Sequence, residues 1–406
     1  MSATRSSANL EPISVSPNGR YFVDQNGEPF FWLGDTQWEL FRCFSLAGAK
    51  AILENRKSKG FSVIQIMFTG VGDGTKPDLA GQTPWVNDDP ATPNEAYFNH
   101  VDSVIGLQNE LILVLGVFHQ LQVSRITPGN ARTYAKWLAQ RYRDVPNIIW
   151  TMYPKAEQEF LPVLRELAAG LQEGDGGARI ITVHPDPSPT SSSFIHNESW
   201  LAFNMIQTCV NYELIYKMVT EDYARIPAKP TVMAEGGYEG VEFGRLQTPL
   251  EIRRQAYWSH LAGGHHSYGH NDNWVSPSSW KSWIDSPGSL HMGVYRNVIT
   301  ACREWWNWIP DQSVFASGEG RDTACRVSTL NVAARSAAGD WVLVYLSSSI
   351  TVSIKMDKIT AGNMVEASWI DPTTGAKTRI GSFTNSGVQS FSTPNGWEDA
   401  VLLLET

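Results

Sequence analysis

Four cysteines in 406 residues, none in a C-x-x-C pair, leave no zinc or dithiol motif to draw through Cys43, Cys209, Cys302 and Cys325. A disulfide framework is not expected in a chain long enough to bury a large core. No apolar run approaches the ~20 residues a membrane helix needs, and no Gly-rich phosphate loop follows an early strand-like run. Charge is sparse, at 18% of residues, with a net −9 and a pI near 5.5. That acidic balance speaks against nucleic acid and anionic membrane surfaces as partners. The polar, Ser-rich residues 1–9 lack the apolar core of a signal peptide. A cytoplasmic location is therefore expected for the sequence as it stands, and a secreted or periplasmic one if a leader has been removed.

What the chain does hold is aromatic surface: 16 Trp, 16 Phe and 13 Tyr. Most will be core, because aromatics bury large areas wherever they occur. A Trp excess with little charge also suits a protein that lays aromatic faces against sugar rings. The length allows one large domain and one small one.

After turn pairs at Asn18-Gly19 and Asn26-Gly27, which predict a β-hairpin, a rhythm sets in. Short apolar runs lie at 30–34, 61–68, 111–118, 148–152, 179–183, 201–206 and 231–234, and a plausible eighth spans 265–270. Helix-like segments alternate with them at 45–59, 98–109, 130–142, 157–171, 212–224 and 251–261. Eight such runs predict an α/β fold, a (β/α)8 barrel over 1–310. From about 313 the residues alternate polar and apolar between turn signals, which predicts a small C-terminal antiparallel β-sandwich over 311–406. The tryptophan-rich stretch 302–308 reads as a helix joining the two.

The runs end in polar side chains: Asp35, His119, Tyr153 with Lys155, His184, Gln207, Glu235, and the histidines at 265, 266 and 270. In a barrel these ends share the catalytic rim. The stretch Pro230-Thr-Val-Met-Ala-Glu235-Gly-Gly-Tyr-Glu239 is the sharpest of them, an apolar run delivering one carboxylate to an open face before two glycines. Its plain alternative is a loop or capping carboxylate. The histidines lack a helix-borne H-x-x-x-H pair, so no metal and no cofactor is expected.

Gly34-Asp-Thr-Gln-Trp38, His184-Pro185 with Phe194-Ile-His-Asn197, Phe203-Asn-Met-Ile-Gln207, Glu235 with Tyr238-Glu239, and Arg254-Gln-Ala-Tyr-Trp258 together resemble the apiosidase-like glycoside hydrolases. Trp369-Ile-Asp-Pro-Thr-Thr-Gly375 and the closing run 397–404 resemble the β domain that follows the barrel in that family. The resemblance spans nearly the whole chain in order. It implies a carbohydrate substrate and a catalytic Glu235.

One departure stands out. Where the family reads Trp-x-x-Gly-Gly-Asp after the fourth strand, its aspartate being the general acid, Trp150 is followed here by Thr-Met-Tyr-Pro-Lys155. Glycoside hydrolysis normally needs two carboxyl groups. Glu235 fits the nucleophile or base; for the acid, Asp35, His119, Glu157 and Lys155 stay open. Asp35 also fits a sugar hydroxyl, Glu157 a helix N-terminus, and Lys155 a carboxylate on an acidic sugar. Trp38, Tyr238, Tyr268 and Trp274 are candidate stacking platforms, and His184, Gln207 and His266 candidate hydroxyl binders. A carbohydrate-binding protein that has lost hydrolysis is the alternative reading.

Overall fold

Three short antiparallel strands open the chain: β1 (Ser14–Val15), β2 (Phe22–Val23) and β3 (Pro29–Phe30). The turns between them place Gly19 and Gly27 at φ 71° and 80°, the left-handed conformation that Asn-Gly pairs favour. The expected hairpin thus gains a third strand. The computed structural model describes residues 12–107, 110–155, 157–187, 189–209, 211–242, 246–272, 279–320 and 330–406.

Eight strands then form a closed barrel: β4 (Leu33–Thr36), β5 (Val63–Met67), β6 (Ile112–His119), β7 (Ile148–Tyr153), β8 (Ile181–Val183), β9 (Leu201–Gln207), β10 (Thr231–Glu235) and β11 (His265–Tyr268). Around the barrel they run β10-β11-β4-β5-β6-β7-β8-β9. Pairing is parallel, for example Val63 to Ile112 and Leu113 to Ile148. Parallel strands are covered on both faces, so they read as unbroken apolar runs rather than alternating ones; every residue of β5 and β6 is buried.

The intervening helices include Leu46–Ser58, Glu95–Ile105, Ala131–Arg141, Leu161–Asp175, Ile215–Tyr223, Pro249–Leu261 and Pro287–Thr300. Their starts are written locally. Ser45 accepts from the Gly48 N–H, and Thr248 forms a capping box with Glu251 ahead of Pro249. The expected helix over 302–308 does not form. Glu304 takes φ 46°, which a right-handed helix excludes, and Trp308 opens a strand.

That strand, β12 (Trp308–Pro310), begins the C-terminal sheets. They continue with β13 (Phe315–Ser317), β14 (Val332–Ser336), β15 (Trp341–Leu346), β16 (Thr351–Lys355), β17 (Met364–Ile370), β18 (Lys377–Thr384), β19 (Val388–Ser392) and β20 (Ala400–Glu405). A six-stranded sheet runs β12-β14-β15-β20-β17-β18 and a three-stranded one β13-β16-β19, all antiparallel. Val342, Val344, Val352, Ile354, Phe391, Leu402 and Leu404 share their core.

The described residues group into two units, one within Met1–Met205 and Asp272–Trp280, the other within Ile206–Asn271 and Lys281–Thr406. The second unit holds β10 and β11 together with the C-terminal sheets. Inside it the helix Pro249–Leu261 is pinned to β15 and to Asp399, the residue before β20. Arg253 donates to both Asp399 carboxylate oxygens at 2.8 and 2.7 Å, and the Tyr345 hydroxyl donates to Asp399 at 2.7 Å. Tyr257 stacks on Tyr345 at 4.5 Å, and Trp308 donates its indole N–H to the His260 carbonyl at 2.7 Å. No helix among the described residues is long and apolar enough to cross a membrane.

Candidate active site

In the first unit, β4 carries Asp35 into the interior with no exposed surface. Its Oδ2 accepts from Gln37 Nε2 and from Arg56 Nε, both at 2.6 Å. Arg56, equally buried, comes from the last turn of the helix Leu46–Ser58. A buried carboxylate survives only with such partners, so Asp35 is committed to a salt bridge. Nothing in the sequence marks Arg56 as its partner, 21 residues away in an ordinary basic helix end.

Four sequence-marked residues of this unit come together as one cluster of rings. Tyr153, half-buried at the end of β7, lies nearly parallel to His119 (centroids 5.2 Å, planes 12° apart) and to His184 (4.6 Å, 18°). Trp38 meets Tyr153 and His184 edge-on, at 5.9 and 5.1 Å. The Leu121 N–H donates to His119 Nδ1 at 3.2 Å, leaving the ring proton on Nε2. His184 instead uses Nδ1 toward the Pro185 carbonyl at 3.2 Å. Burial pushes the His119 imidazole down to about 4 and His184 to about 3, so both rings are neutral near pH 7. A neutral imidazole accepts or positions; it is a poor proton donor. Lys155 and Glu157 lie beyond the strand, both exposed, and Glu157 caps no helix N–H.

In the second unit, Glu235 ends β10, half-buried, its carbonyl accepting from the Thr208 N–H at 2.9 Å. The two glycines that follow are gripped by Gln255 of the helix Pro249–Leu261. Its Oε1 accepts from the Gly237 N–H at 2.8 Å and its Nε2 donates to the Gly237 carbonyl at 3.1 Å. A Cβ on Gly236 would lie 2.0 Å from Gln255 Oε1, and one on Gly237 2.8 Å from Gln247 Oε1. Close approach of side-chain amides is why this turn carries glycine.

Gln207 ends β9 and is 4% exposed; Tyr238 is 8% exposed. Glu239 accepts from the Tyr268 hydroxyl at 2.6 Å, from Ser286 Oγ at 2.9 Å and from the Gly288 N–H at 2.8 Å. Tyr268 thus gives its proton to a carboxylate that also caps the helix Pro287–Thr300. His266 sits two residues before the end of β11 against Ser259 Oγ at 3.3 Å, and burial pushes it down to about 3. Trp274 lies outside the described residues. Gln255 and Glu239 carried no role in the sequence reading. A carboxylate four residues past Glu235 was the available signal for Glu239; Gln255 lies within the Arg254-Gln-Ala-Tyr-Trp258 stretch of the family resemblance, but nothing there assigns it to the glycine turn.

The described residues hold no group of three or more His, Cys, Asp or Glu side chains arranged to hold a metal ion. The first unit thus holds a cluster of flat rings, and the second a half-buried carboxylate at a strand end.

Comparison with known proteins gives the family. The apiosidase-like catalytic domain matches residues 16–307, and a domain family described from the collagen-binding part of a collagenase matches 309–405. A solved structure described as a glycoside hydrolase is 27% identical with TM-score 0.88, over 98% of this chain and 97% of that one. A glycoside hydrolase family 5 structure from Bacteroides vulgatus ATCC 8482 is 26% identical with TM-score 0.87, over 97% and 93%. No curated protein matches. The likeness to glycoside hydrolases therefore extends across both the barrel and the C-terminal sheets, and the chain belongs to the apiosidase-like family of glycosidases.

Proposed function

We propose that the protein hydrolyses an O-glycosidic bond of a plant or microbial glycan or glycoside, with the Glu235 carboxylate as nucleophile or as the base that activates water. The observation that carries this reading is a half-buried carboxylate at the C-terminal end of a barrel strand, with the backbone behind it held by Gln255. Strand C-termini are where barrel enzymes keep their reactive groups. A side chain fixed from behind needs little reorganisation during reaction. In this reading Gln207 and Tyr238 contact the sugar. Lys155, which is exposed, is read as the partner of a carboxylate on an acidic sugar.

The test is a panel of 4-nitrophenyl glycosides, uronides included, with plant oligosaccharides alongside. Wild type should release product from at least one. Glu235→Gln should lose it by at least ~10²-fold with an unchanged melting temperature. Full activity in that variant would refute the assignment. Sugar-induced thermal stabilisation of wild type with no product anywhere would favour a carbohydrate-binding protein.

A further inference from the structure

Strands β10 and β11 pair at two levels of the second unit. At the first, Val232 lies opposite His265 and Met233 opposite His266. Pairing returns at Glu239, whose N–H donates to the Gly269 carbonyl and whose carbonyl accepts from the Asn271 N–H, both at 3.0 Å, setting Glu239 opposite His270. From Met233 to Glu239 the β10 side takes six steps along the chain; from His266 to His270 the β11 side takes four. The two surplus residues on the β10 side have to loop out, and Glu235 lies in that stretch. Surplus residues of this kind bend a strand and re-aim its side chains, and they gather beside active sites.

The stretch is held at three points. At its start the Glu235 carbonyl accepts from the Thr208 N–H, and in its middle Gly237 is bonded twice by Gln255. At its end the holding group is the Glu239 side chain, a carboxylate only 5% exposed. Its Oε2 accepts from the Tyr268 hydroxyl and Ser286 Oγ, and its Oε1 from the Gly288 N–H. Ser286 is the N-cap of the helix Pro287–Thr300, yet its side chain makes no capping bond to that helix. Its hydroxyl turns to Glu239 instead, and a carboxylate 49 residues earlier in the chain caps the helix. The fit is close, since a Cβ on Gly288 would lie 2.3 Å from Glu239 Oε2. Three donors on two oxygens thus tie the exit of the looped-out stretch to the end of β11 and to the start of a 14-residue helix.

We propose that Glu239 is a positioning residue of this glycosidase: by fixing the exit of the stretch that carries Glu235, it sets where the Glu235 carboxylate stands. The proposal rests on the reading of Glu235 given above. Both Glu239 oxygens are committed to Tyr268, Ser286 and Gly288, so Glu239 acts through the backbone and not on the sugar.

The test perturbs this contact from both sides and reads turnover of a 4-nitrophenyl glycoside that wild type hydrolyses. Glu239→Ala removes the carboxylate. Gly288→Ala keeps it but pushes it off the helix start, with a residue that favours a helix more than glycine does; this variant decides alone if Glu239→Ala does not fold. In each, kcat should fall ~10²-fold, as a misplacement of about 1 Å would cause, while KM stays within about threefold. Glu239→Gln, which leaves an oxygen for the Gly288 N–H, should recover at least about tenfold of that loss. A residue that merely holds the fold would depress turnover whether or not Glu235 is present, whereas a positioning residue acts only through Glu235. Adding either alanine substitution to Glu235→Gln should therefore change the residual turnover by less than about threefold. An unchanged kcat in the single variants, a loss carried by KM, or full additivity with Glu235→Gln would overturn the proposal and leave Glu235 in place. Undiminished turnover by Glu235→Gln alone would remove the reading of Glu235, and the proposal with it.

Discussion

Gln255 holds the backbone just past Glu235, the residue proposed to be catalytic, although no role could be read for it from the sequence. It bonds both the N–H and the C=O of Gly237, two residues past Glu235. In Gln255→Ala both backbone groups lose these bonds, at a cost of about 1–3 kcal/mol, and the turn is free to shift. A misplacement of about 1 Å is worth ~10²-fold in rate, so kcat should drop by about that factor while KM changes little. Steady-state kinetics beside a denaturant titration would check this; a stability loss with kcat intact would separate Gln255 from Glu235. Glu235 itself was legible because a lone acid closes an apolar run ahead of two glycines. Gln255 sits mid-helix between Arg254 and Ala256, where a glutamine facing solvent would look the same.

At the scale of elements, the barrel strands were legible for the same reason throughout. A strand covered on both faces must be apolar until it reaches the rim, so each run and its polar stop stand out. The strands that escaped notice are those this logic does not reach. β18 reads Lys-Thr-Arg-Ile-Gly-Ser-Phe-Thr, exposed or half-exposed along its length at the edge of its sheet, and β19 is mostly exposed at another edge. β12 carries Pro310, which an edge strand tolerates. The salt bridge between the helix Pro249–Leu261 and Asp399, the residue before β20, was equally invisible, joining residues 146 apart. Arg253 and Asp399 are 2% and 1% exposed, and removing one partner strands a buried charge. Asp399→Ala should cost about 3–5 kcal/mol, read as a lowered denaturation midpoint. A loss below about 1 kcal/mol would mean that Arg253 finds water or another acceptor.

For the molecule as a whole, the aromatic excess proved largely architectural: Trp32, Trp85, Trp150 and Trp258 are all under 2% exposed. Neutral buried histidines also leave a signature on global stability. Burial holds His119 at about 4 and His184 and His266 at about 3, against ~6.5 when unfolded. Below ~6.5 the unfolded chain therefore binds more protons than the folded one, so stability is complete above that pH and falls as pH drops toward 4 and 3. Each such group contributes up to about 1.4 kcal/mol per pH unit in that window. Melting temperatures from pH 7 to 5 should decline, and His266→Gln should flatten the decline; parallel curves would argue against it. The central claim rests on one carboxylate, and the most direct measurement is turnover by Glu235→Ala with and without sodium azide. Without azide, kcat should fall by at least ~10²-fold, and azide, a small anion able to enter the vacated space, should restore part of it. Undiminished turnover by Glu235→Ala alone would contradict the account.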